Sequence, residues 1–175
     1  MRKTLIVNLF GGPCSGKSTT RAGIFNILKL NNIECEESLE WFKSKVYEEN
    51  PYIPKDQLYS FSKQRKSLLQ LVSKVNVVIT DSPLLLSIIY SKEPNPYFQD
   101  LVLWEFSRFN NFNFFLNRNF EYKTSGRINT EEEAIIIDLK IKKLMIENEI
   151  KYEEVDGDEN TSKILAHKIL KKLQH

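Results

Sequence analysis

Cysteine is scarce in this chain: two residues, Cys14 and Cys35, among 175. Two thiols cannot build a disulfide framework or a four-cysteine zinc site. Histidine is as scarce, and His167 and His175 sit in a basic tail without metal-ligand spacing. No apolar run approaches the roughly 18 residues that a membrane-spanning helix needs. Met1-Arg2-Lys3 passes at once into a short apolar stretch, which is not the shape of a signal peptide. Neither sign of charge dominates: 25 Lys and Arg against 23 Asp and Glu leave a formal +2. That balance argues against a protein built to coat nucleic acid, although a local basic patch fits it. Repeats, low-complexity stretches and linkers are missing too. What is present, 41% hydrophobic and 27% charged residues, is the composition of an ordered chain. The expectation is one domain, residues 1–175, soluble and in a reducing, cytoplasmic compartment.

Short apolar runs alternate with helical patterns along the chain. Thr4 to Phe10 is nearly continuous in apolar residues and ends at Gly11-Gly12-Pro13, as a strand buried on both faces does. Ser18 to Leu30 spaces Ile24, Ile27 and Leu28 as a helix, and Ile33 to Glu36 reads as a short second strand. Glu37 to Glu49 reads as helix, with Leu39, Phe42 and Val46 on one side. Pro51 and Pro54 break the chain before a long amphipathic helix over Lys55 to Lys74. Val75 to Thr80 is the next buried strand, closed by Asp81-Ser82-Pro83. Leu84 to Ser91 and Tyr97 to Asn110 read as helices, Phe112 to Leu116 as a strand, and Phe120 to Asn129 as a mobile polar loop. Thr130 with Glu133 forms a capping box that opens a helix striped by Ile137, Ile141, Leu144 and Met145. Ile150 to Val155 is a last strand, Asp156-Gly157-Asp158 a turn, and Thr161 to Leu173 a closing helix. Strands alternating with helices imply an α/β fold with a parallel sheet.

One motif decides the class of chemistry. Gly11-Gly12-Pro13-Cys14-Ser15-Gly16-Lys17-Ser18 satisfies G-x-x-x-x-G-K-[ST] at every fixed position, between a buried strand and an amphipathic helix. Glycines let the backbone curl until successive N–H groups point inward, an anion nest at the positive end of a helix. Lys17 can reach the terminal phosphates, Ser18 can hold Mg²⁺, and Thr19 and Thr20 can add contacts to inner phosphates. Cys14 reads as a small filler rather than a nucleophile. The motif indicates a nucleoside-triphosphate site. No Asn-Lys-x-Asp guanine signature and no Ser-Gly-Gly signature of transport ATPases occurs, and an AAA+ module is expected to be longer. A small kinase is what remains.

Four further features are candidates. Asp81 ends the strand Val75–Thr80, at the sheet edge where ligands of parallel α/β folds lie. It can hold Mg²⁺ or accept a hydroxyl proton, or it can be a helix N-cap. The segment Arg118 to Arg127 suits a closing basic loop, with Arg127 favoured over Arg118, against a surface loop paired to Glu131–Glu133. Glu40, with Trp41 and Lys43, can bind an acceptor hydroxyl and stack a ring, or can be an ordinary helix face. Gln57, Gln64 and Arg65 can read a base edge, and solvent exposure explains them equally. The lysines near His167 read as a solvated helix face, with a phosphate-backbone patch the weaker option.

Together these motifs resemble the small P-loop nucleoside and nucleotide kinases, and within them the ribosylnicotinamide-kinase-like group, which includes many short phage-encoded proteins. The likeness rests on the GGPCSGKSTT loop, Glu40-Trp41-Phe42-Lys43, Thr80-Asp81-Ser82 and Gly126-Arg127, and covers nearly the whole chain. It implies a three-layer fold with a five-stranded parallel sheet in the order 2-3-1-4-5 and an arginine-bearing lid near 118–130. It implies ATP on the loop, an acceptor pocket between the second and third strand ends, and the Asp156–Asp158 turn near adenine. Glu40 and Asp81 would contact acceptor or Mg²⁺, and Arg127 would be the lid arginine. The chain departs from thymidine-type kinases, which have Asp-Arg-Ser/Tyr where this sequence has Asp81-Ser82-Pro83, and its nicotinamide-riboside signature is incomplete.

The expected function is an ATP- and Mg²⁺-dependent kinase for a nucleoside, nucleotide or related small molecule, in the host cytoplasm if phage-encoded. Two other classes stay open: a kinase acting on a DNA or RNA end or a modified base, and a non-catalytic ATP-dependent switch.

Overall fold

All six residues of Leu5–Phe10 are buried, and a segment covered on both faces satisfies its backbone only between two other strands. The computed structural model, which describes residues 4–39, 56–92, 95–119 and 130–174, places this strand, β1, at the centre of the sheet. Its neighbours are β3 (Val77–Thr80) and β4 (Asn110–Asn117), with β2 (Cys35–Ser38) and β5 (Glu153–Asp156) at the edges. Every pairing is parallel, in the order β2-β3-β1-β4-β5. All five strands therefore direct their carboxyl ends to one rim.

Side chains alternate across the pleat, so each strand feeds two cores. Leu5, Val7, Leu9, Val77, Ile79, Phe114 and Leu116 face α1 (Lys17–Leu30) and α6 (Thr161–Leu173). Ile6, Phe10, Val78 and Phe115 face the other layer: α2 (Gln57–Leu71), α3 (Leu86–Tyr90), α4 (Pro96–Ser107) and α5 (Glu131–Glu147). Asn8 breaks the apolar run of β1, and its amide group donates to the side-chain oxygens of Asn111 and Asn113 at 2.9 Å each. A buried amide is tolerated when it is paired in this way.

The capping box is present: Thr130 accepts the Glu133 N–H at 3.3 Å, and Glu133 accepts the Thr130 N–H at 2.9 Å. Ile141, Leu144 and Met145 are buried behind it. Other boundaries move. β2 begins two residues later than periodicity suggests and takes in Glu37 and Ser38, which read as the start of a helix. Register with β3 decides this, since Ser38 pairs with Thr80 and its hydroxyl is buried. Likewise β4 begins at Asn110, opposite Leu5, where the pattern alone extends a helix. No helix among the described residues is long and apolar enough to cross a membrane.

The helices α1 and α6 cross at Gly23, where an added β-carbon would lie 2.6 Å from the Ser162 β-carbon. Overpacking of this kind costs roughly 1–3 kcal/mol, against a gain of about 1 kcal/mol from replacing helical glycine by alanine. Gly23→Ala should therefore lower the stability measured by urea unfolding. A more stable variant would show that the two helices separate at little cost.

Candidate functional site

β1 ends in Phe10, and the chain then turns sharply through Gly11 to Ser18 into α1. Gly11 has φ +136°, Cys14 φ 65° and Gly16 φ 81°, so three loop positions lie in backbone regions that side chains disfavour. A β-carbon on Gly11 would sit 2.6 Å from Ser15 Oγ, and one on Gly12 would sit 2.8 Å from the Ala134 carbonyl. Ser15, itself buried, donates its hydroxyl to the Gly12 carbonyl at 3.0 Å. Lys17 curls back over the loop and donates to the carbonyls of Gly11 at 2.6 Å and Gly12 at 2.7 Å. No side chain caps the start of α1, and its first turn holds no acidic residue, in contrast to the glutamate-rich first turn of α5. The positive end of α1 thus faces the loop uncompensated by side chains, as an anion-binding helix start requires.

Asp81, just past β3, meets this loop. It is 4% exposed, and its Oδ2 accepts the hydroxyl of Ser18 at 2.6 Å. It caps no helix, for α3 starts later, with Leu85 in the cap position. Its other oxygen, Oδ1, is buried without a hydrogen bond, with Arg21 Nη1 at 3.8 Å. Among the described residues no three His, Cys, Asp or Glu side chains converge as a metal cage. Mg²⁺ keeps several waters and takes one or two protein oxygens beside those of phosphate. Ser18 and Asp81, with an unsatisfied carboxylate oxygen between the loop and β3, fit such an ion.

Arg21 and Glu37 extend the site and were not among the residues expected from the sequence. Arg21 Nε lies 3.1 Å from Glu37 Oε1, and both side chains are largely buried. Arg21 follows Ser18 by three positions on α1, so helical spacing brings it to the same face. Glu37 reaches it from the end of β2. Beneath them Gln64 is buried, which removes the solvent-exposed reading of that residue. Its amide nitrogen donates to Ser38 Oγ at 3.0 Å and Thr80 Oγ1 at 3.2 Å, tying α2 to the ends of β2 and β3. Arg65 is turned to the buried Glu105, 2.7 Å away, rather than to the rim.

On the far side of β1, Arg118 stands just past β4 and pairs with Asp138 of α5 at 2.7 Å. Asp138 also accepts the Gly12 N–H. Its signal in the sequence is a carboxylate on the same helical stripe as the buried Ala134, Ile141 and Met145. The turn after β5 is held internally: Thr161 donates to the Asp156 carbonyl at 2.6 Å, and its hydroxyl, with the Asn160 N–H, holds the Asp158 carboxyl below its usual range. Pro13, in the loop, is half-buried, and Thr19, in the first turn of α1, is exposed. Glu40, Trp41, Lys43 and Arg127 lie outside the described residues.

A family profile described as an AAA domain matches residues 6–161, from β1 to the first residue of α6. The expectation that length sets such modules aside is overturned by that match. No curated protein matches the chain.

The two thiols differ in a way that probes the loop. Cys35 is fully buried and burial pushes its thiol up, whereas Cys14 is partly open. A disulfide reagent such as DTNB should therefore modify one thiol quickly in the native protein and the second only on unfolding. Mg·ATP should slow the fast reaction severalfold. An unchanged rate at saturating nucleotide would place the nucleotide away from Cys14.

Proposed function

The chain belongs to the AAA domain family of P-loop nucleotide-binding folds, and from that premise we propose that it is an ATP- and Mg²⁺-dependent kinase. It transfers the terminal phosphoryl group to a hydroxyl or phosphate of a nucleoside, nucleotide or related small molecule, in the manner of the ribosylnicotinamide-kinase-like proteins it resembles. The observation that carries this reading is the 2.6 Å contact of Ser18 with Asp81, whose second oxygen is buried without a hydrogen bond. Phosphoryl transfer spreads negative charge over the moving group, so catalysis is mainly positioning and charge stabilisation. Lys17, folded over the loop, would exchange its loop carbonyls for the phosphate oxygens and follow that charge. Mg²⁺ on Ser18 and Asp81 would neutralise charge on the phosphate oxygens.

Glu37 adds a candidate contact for the acceptor. It sets a second carboxylate at the next strand end, with Arg21 lying between it and Asp81. A carboxylate there can accept the proton of an acceptor hydroxyl as the new bond forms. Glu40, Trp41 and Lys43 belong to the same proposal as acceptor contacts, and Arg127 as the residue that meets charge developing on the transferred group.

The test is radiolabelled ATP with Mg²⁺ against nucleosides, nucleotides, nicotinamide riboside and DNA or RNA oligomers. Label on a small molecule is the expected result. Label confined to oligomers would move the assignment to nucleic-acid ends or bases, and none at all, with ATP still bound, would leave a switch. Lys17→Ala should keep the melting temperature within a few degrees, because the hydrogen bonds of its ammonium to the Gly11 and Gly12 carbonyls lie in a partly exposed loop rather than in the core, and should lower turnover by about a hundredfold or more. Normal turnover in that variant would contradict the site.

A further inference from the structure

We propose that Asp138 is a positioning residue of the nucleotide site, one that sets the guanidinium of Arg118 beside the phosphate loop. The inference rests on the nucleotide reading above, and its test separates the two.

One carboxylate serves two donors here. Oδ1 accepts the backbone N–H of Gly12, and Oδ2 accepts from Arg118 Nη2 at 2.7 Å. Three chain segments meet through it: the phosphate loop, the end of β4 and the helix α5. The ion pair is poorly accessible, with side-chain exposure of 9% for Arg118 and 18% for Asp138. Exposed pairs contribute little because water and side-chain entropy offset them. Low exposure, with both carboxylate oxygens engaged, gives this pair a single geometry instead.

The geometry is set against the loop itself. A β-carbon on Gly12 would be 2.9 Å from Asp138 Oδ1 and 3.4 Å from Arg118 Nη2. The guanidinium therefore borders the space that a side chain at position 12 would fill, and glycine there is what lets the Asp138 carboxylate approach. A planar guanidinium fixed by a carboxylate is pre-oriented for phosphate oxygens in a way that a free side chain is not. Charge gives Arg118 a second role in the pair. Asp138 alone would set a negative charge beside a phosphate site and repel the ligand, and Arg118 cancels it. The two residues act as one unit, so their removal is not additive.

The experiment measures binding of Mg·AMP-PNP by titration calorimetry to the whole chain and to Asp138→Asn, Arg118→Ala and the double variant. Melting temperatures are recorded beside each affinity. Asp138→Asn is nearly isosteric and keeps an oxygen for the Gly12 N–H while removing the charge that holds Arg118. It should weaken binding about tenfold, and Arg118→Ala at least as much, since it leaves Asp138 uncompensated. The double variant should be no weaker than Arg118→Ala alone. Unchanged or tighter binding in Asp138→Asn, or losses that multiply in the double variant, would overturn the proposal. So would affinities that fall only in step with melting temperature, the signature of a residue that merely holds α5 in place. Should Asp138→Asn fail to fold, Arg118→Lys keeps the ion pair without the planar fork. It is expected to lose about tenfold, and wild-type affinity there would overturn the proposal. A wild-type chain that binds no AMP-PNP would overturn the nucleotide reading and this one with it.

Discussion

Everything at the candidate site depends on β1 being held between β3 and β4 in parallel register. That pairing brings the loop after Phe10 level with the residues that follow Thr80 and Asn117. Asp81 can then meet Ser18 on one side, and Arg118 can meet Gly12 through Asp138 on the other. A one-residue slip would send each β1 side chain into the opposite core, so the two cores that grip its faces also hold the site in register. The apolar residues thus act on function indirectly, by fixing which strand ends share a rim.

The charges around the loop are balanced rather than uniformly basic. Lys17 and the bare start of α1 provide positive potential at the centre. Asp81 and Glu37 lie to one side with Arg21 between them, and Asp138 lies to the other with Arg118. Each carboxylate near the phosphate position has a guanidinium within reach, which keeps a polyanion from meeting uncompensated negative charge. The exception is useful: Oδ1 of Asp81 has only a distant arginine, and an unsatisfied buried carboxylate oxygen is costly unless a cation or water satisfies it.

The fold was largely legible because its strongest signals are local. The phosphate loop, the capping box at Thr130 and the helix Thr161–Leu173 need only neighbours in sequence, and the chain folds as those signals indicate. Legibility failed where pairing decides. β2 is short, polar and at an edge, so nothing local separates Glu37 and Ser38 from a helix start, and the partner strand β3 settles it. The site divided in the same way. Lys17, Ser18 and Asp81 were readable from motif and strand end. Arg21, Glu37 and Asp138 act through partners 16 to 126 positions away, which no spacing rule encodes. Gln64 and Asp138 share one missed clue, a polar side chain on the buried stripe of a helix, where burial demands a specific partner.

The most direct measurement of the central claim is the Mg²⁺ dependence of nucleotide affinity in the wild-type chain and in Asp81→Asn. If Ser18 and Asp81 hold the ion, Mg²⁺ should tighten AMP-PNP binding in the wild type. In Asp81→Asn most of that enhancement should vanish, while the metal-free affinity stays near the wild-type value. Equal enhancement by Mg²⁺ in both proteins would show that the ion is held elsewhere, and would remove the contact on which the functional assignment stands.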